Sequence, residues 1–66
     1  IMNVGDLVKI IASDEPFHFR PGEGSVGMIV EIQKTNWLGV CYYVYINGVG
    51  WRYYEKEVEL ISDGSG

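Results

Sequence analysis

His18 and Cys41 are the only histidine and the only cysteine in the chain, and so the only residues able to form a thiol–imidazole nucleophile pair near neutral pH. Such a pair works only within hydrogen-bond reach and with a third group to orient the base. Cys41 falls in a run of β-formers and His18 in a stretch broken by Pro16, Pro21, Gly22 and Gly24, so nothing in the sequence brings them together. The serines (Ser13, Ser25, Ser62, Ser65) sit in turn-rich segments or near the end, with no nucleophile-elbow pattern around them. Asp14, Glu15, His18 and Glu23 crowd one loop and offer oxygen ligands to a weakly held cation, but their spacing matches no zinc or calcium signature. Gly22-Glu23-Gly24 lacks the lysine and hydroxyl of a phosphate loop. The expectation is a protein that is not an enzyme and uses neither metal nor cofactor.

The chemistry that remains is contact chemistry. Tyrosine offers a large, stiff, amphipathic surface that suits protein interfaces. Tyr43, Tyr45, Tyr54 and Arg52 fall on one face of an expected hairpin, where Tyr43 opposite Arg52 could form a cation–π pair. Phe17, Phe19 and Trp37 lie in expected loops, beside the acidic Asp14 and Glu15, where three large apolar groups either cap the fold or meet a partner. These seven residues are the candidate partner-binding set.

The composition narrows the partner. Five basic residues against nine acidic ones give a formal charge of −4, and Lys9, Arg20, Lys34, Arg52 and Lys56 never cluster. Nucleic-acid and anionic-membrane affinity both need concentrated positive charge, so neither is expected as a partner. No apolar run approaches the ~20 residues of a membrane-spanning helix. A soluble, intracellular protein is expected. One cysteine permits no internal disulfide, so the core alone must hold 66 residues together. With 47% hydrophobic residues, including two tryptophans, five tyrosines and two phenylalanines, it has the material to do so.

The elements that must position these side chains follow from alternation with period two. Strands are expected at Asp6 to Ala12, with Val8, Ile10 and Ala12 sharing a face, and at Val26 to Lys34, with Met28, Val30 and Ile32 sharing a face. Gly27 allows a bend or a close backbone approach. Two further strands, Val40 to Ile46 and Val49 to Tyr54, flank Asn47-Gly48, the strongest short hairpin signal, because a type I′ turn needs positive φ at both central residues. A two-residue turn pairs Ile46 with Val49, Val44 with Trp51 and Tyr42 with Tyr53 on an apolar face. Tyr45 then opposes Gly50, Tyr43 opposes Arg52 and Cys41 opposes Tyr54 on the other. A slip by one residue would put Arg52 into the core. Residues 55–57 fit one helical turn and Val58 to Ile61 a closing strand. The expected fold is thus an all-β, five-stranded SH3-like small barrel with a single helical turn before the last strand. It spans residues 2–62, with Met2 as the expected natural start and residues 63–66 a flexible tail or linker.

The segments Gly5-Asp6-Leu7-Val8-Lys9-Ile10, Gly27-Met28-Ile29-Val30-Glu31-Ile32, Tyr43-Val44-Tyr45-Ile46 with Asn47-Gly48, and Tyr54-Glu55-Lys56-Glu57-Val58-Glu59-Leu60-Ile61 resemble small SH3-like barrel proteins encoded by bacteriophages, cyanophages included. More distantly they are similar to the photosystem I reaction-centre subunit IV. The resemblance implies a non-enzymatic interaction or structural module: a virion or accessory protein in a phage setting, or a photosystem-associated docking subunit in the other. The partner would be another protein or a second copy of the chain. Unlike SH3 domains that bind proline-rich peptides, this chain has neither an Ala-Leu-Tyr-Asp-Tyr segment nor paired tryptophans.

Overall fold

A computed structural model of the chain describes residues 2–13, 20–37 and 39–64. Five strands form one antiparallel sheet: β1 (Leu7–Ile10), β2 (Val26–Thr35), β3 (Gly39–Ile46), β4 (Val49–Tyr54) and β5 (Val58–Ser62), with a 3₁₀ turn at Glu55–Glu57 before β5. The spatial order β4-β3-β2-β1-β5 is a meander whose first strand also pairs with the last, the arrangement of an SH3-like barrel. The β3–β4 hairpin holds all six expected pairs, from Ile46 with Val49 to Cys41 with Tyr54. Asn47 and Gly48 adopt the positive φ values, 50° and 88°, that the turn demands.

The core consists of Val8, Ile10, Ile29, Tyr42, Val44, Ile46, Tyr53 and Val58. Three expectations about it need correction. In β2, Met28 and Val30 do not turn inward; they are about half exposed, and the buried residue between them is Ile29. A bulge explains the change: Ile29 pairs with Val44 but Glu31 with Tyr43, so Val30 is the extra residue. The extra residue shifts the alternation by one, so the inward positions are Gly27 and Ile29 before it and Ile32 after it. In the hairpin, Val49 is exposed and Trp51 half-buried, because β4 is an edge strand with no neighbour beyond it. Cys41, expected on the face opposite the apolar one, is buried.

The strand ends differ by small amounts, and the first has a clear cause. β1 stops at Ile10 rather than Ala12, where the ladder loses its regular spacing. The N–H groups of Ile11 and Ala12 both donate to the one Glu57 carbonyl, at 2.8 and 3.4 Å. Asp6, ahead of β1, is buried and acts as a clasp. Its carboxylate accepts the N–H of Asn3 at 2.8 Å and the N–H of Gly64 at 3.0 Å, drawing both ends of the described chain onto β1.

Candidate functional site

The expected aromatic face exists as a face, but its members differ in exposure. On the outer side of the sheet Leu7 pairs with Met28, Met28 with Tyr45, and Tyr45 with Gly50, so one row crosses four strands. Its large side chains are 40%, 43% and 50% exposed for Leu7, Met28 and Tyr45, which makes the row a continuous apolar stripe open to solvent. Val26 and Val30, on the same central strand, are exposed to a similar degree. The next row brings Glu31, Tyr43 and Arg52 together across β2, β3 and β4, with Tyr43 half-buried and Arg52 exposed. Tyr54, half-buried opposite Cys41, belongs to a third row. Trp37, in the β2–β3 turn, is 93% exposed. Phe17 and Phe19, together with Asp14, Glu15 and His18, lie outside the described residues.

The cation–π contact of the described residues is not the expected Tyr43–Arg52 pair. Arg20 lies over the ring of Tyr53 at 4.5 Å from its centroid. This arginine is the hub of a buried polar cluster. Its Nη2 pairs with the Glu57 carboxylate Oε2, its Nη1 donates to the Arg52 carbonyl at 2.6 Å, and its Nε reaches Ser13 Oγ at 3.4 Å. Glu57 turns its other oxygen, Oε1, back to accept the Tyr54 N–H at 2.9 Å, as a residue at the third position of a helical turn often does. The Tyr53 hydroxyl donates to the Pro21 carbonyl at 2.7 Å. Both partners of the ion pair are almost fully buried. The cluster ties the end of the first long loop to β4 and to the 3₁₀ turn. Ion pairs this far apart in sequence leave no local pattern; the only hint was Glu57, three residues after the end of β4.

The two core tyrosines are shifted in the same direction. Burial raises the pKa of Tyr53 above its ordinary 10.0; Arg20 opposes that shift and Glu57 adds to it. Burial, and then the charge of Glu55, raises that of Tyr42. A raised pKa in the folded state means that the native protein holds a proton the unfolded chain releases first. Stability from this source is therefore complete below pH ~10 and is lost as pH climbs past it. The urea midpoint should stay level up to about pH 10 and fall above it, and Tyr42→Phe should make the fall shallower. An equally steep fall in the variant would count against this assignment.

A second surface lies at the inner-face end of the β2–β3 hairpin. Met2, Asn3, Ile32, Lys34, Val40, Tyr42 and Glu55 line an open cleft of about 550 Å³. Met2, Ile32 and Val40 pack against the core from this side and, with the Tyr42 ring, give it an apolar floor. None of its residues belongs to the expected partner-binding set, although Ile32 lies on the face that alternation assigned it and Lys34 shares that parity.

Fold and surfaces together define a small all-β domain of SH3-like architecture with an apolar outer stripe and a separate cleft. Compared with models of protein families, with curated proteins and with solved structures, the chain matches none.

Proposed function

We propose that this domain is a non-enzymatic interaction module that docks on a protein partner through the outer face of its sheet. The resemblance to phage-encoded small barrels supplies its setting, as a virion or accessory protein. The observation that carries the reading is the stripe formed by Leu7, Met28 and Tyr45, with Val26 and Val30 beside it. Its central strand is apolar on both faces across Val26–Val30, a pattern that normally belongs to strands covered on both sides. Contiguous apolar surface on a small domain commonly marks an interface.

The test is Met28→Glu, which places a charge at the middle of the stripe. Because Met28 is half exposed, the variant's unfolding free energy should stay within about 0.5 kcal/mol of the parent's. In-cell crosslinking should recover a discrete partner with the parent chain and lose it with the variant. Light scattering over a concentration series separates self-association from a foreign partner. A parent chain that stays monomeric and crosslinks to nothing, or a variant that keeps every partner, would refute the proposal.

A further inference from the structure

The cleft has a feature that the outer stripe lacks: its two charges stand on opposite flanks of an apolar floor. Val40 pairs with Lys34 in β2, and Glu55 follows Tyr54, whose partner in β3 is Cys41. Position 55 therefore falls beside Val40 on the side away from Lys34. The two rim residues are about two strand spacings apart, ~10 Å. Neither takes an ion-pair partner among the described residues, where the ion pair is Arg20 with Glu57. A cleft of about 550 Å³ is within the size range of ligand-binding sites, and most of its lining is apolar: Met2, Ile32, Val40 and the Tyr42 ring.

We infer that this cleft takes an extended peptide segment of a partner protein, with one apolar side chain seated on the Val40 floor, an acidic residue toward Lys34 and a basic residue toward Glu55. In an extended chain, residues i, i+2 and i+4 share a face and span ~13 Å, so the matching pattern is acid–x–apolar–x–base. The charge complementarity selects this occupant over a purely apolar one, which would leave both rim charges beside it without a counterpart. The site goes beyond the outer-face reading and uses none of its residues, so either can fail alone.

The experiment is an NMR titration of the full chain with three capped pentapeptides: Glu-Ser-Leu-Ser-Lys, Lys-Ser-Leu-Ser-Lys and Glu-Ser-Ser-Ser-Lys. One seated side chain and two exposed ion pairs leave little after the cost of association, so the first is expected to bind weakly and is titrated to high concentration. It should shift the amides of Ile32, Val40 and Tyr42 and bind about threefold to fivefold tighter than the dicationic peptide. The peptide without leucine should not bind measurably. Lys34→Glu makes both rims acidic and should reverse the order of the first two peptides; Lys34 is exposed, so this variant keeps its fold. Equal affinity for all three peptides, shifts confined to the outer stripe, or an unchanged order in Lys34→Glu would overturn the inference.

Discussion

Glu57→Ala is expected to leave the domain largely unfolded at room temperature. The substitution strands the Arg20 guanidinium in an almost fully buried site and removes the acceptor of the Tyr54 N–H. Breaking a buried ion pair by deleting one partner costs about 3–5 kcal/mol, because the remaining charge stays desolvated without its counter-charge. A domain of 66 residues has about 3–10 kcal/mol of stability in total, so the loss is comparable with the whole. Urea denaturation followed by tryptophan fluorescence gives the measurement. Arg20→Met with Glu57→Leu is the informative companion, since removing both charges avoids the stranded ion. It should be more stable than Glu57→Ala alone, though below the parent, because the Arg52 carbonyl and Tyr54 N–H still lose their partners. If Glu57→Ala unfolds at the parent's urea midpoint, the pair does not hold the loop to the sheet.

The second large effect is steric. Gly27→Ala should destabilise by about 3 kcal/mol, the upper part of the range for overpacking a dense core. A Cβ there would stand 2.5 Å from the Tyr45 carbonyl oxygen, 2.5 Å from Ile46 Cγ1 and 2.7 Å from Val44 Cγ1. The two side chains can turn aside, but the carbonyl belongs to the neighbouring strand and can move only if the β2–β3 ladder moves with it. Gly50→Ala is the control. It also lies in a strand, yet a Cβ there meets nothing within 4 Å, so the same change should be neutral or stabilise by about 0.5–1 kcal/mol through the lost freedom of the unfolded chain. Equal effects at the two glycines would mean that β2 does not pass as close to β3 as described.

Together these substitutions separate what holds the fold from what the fold presents. The Arg20–Glu57 cluster and the Gly27 crossing lie inside, and their loss should abolish any binding by unfolding. Met28 and Lys34 lie on the surface, and changes there should alter binding with the urea midpoint preserved. A variant that loses a partner is informative only in the second group.

The sequence by itself determined the parts of this protein that local rules govern. Asn47-Gly48 allowed one turn geometry, that turn allowed one register, and all six pairs of the β3–β4 hairpin followed from it. The five strands, the helical turn at Glu55–Glu57 and the close approach at Gly27 were legible for the same reason: each depends on residues adjacent in the chain or on alternation along it. Tertiary structure alone decided the rest. The bulge at Val30 is set by how β2 fits β3, and it left Met28 outward and Ile29 inward while Ile32 kept its expected side. The Arg20–Glu57 pair went unread, because the pairing of residues 37 positions apart leaves no local pattern. The exposed stripe is a consequence of that bulge and of strand order, and side-chain alternation cannot count a residue that the ladder itself skips.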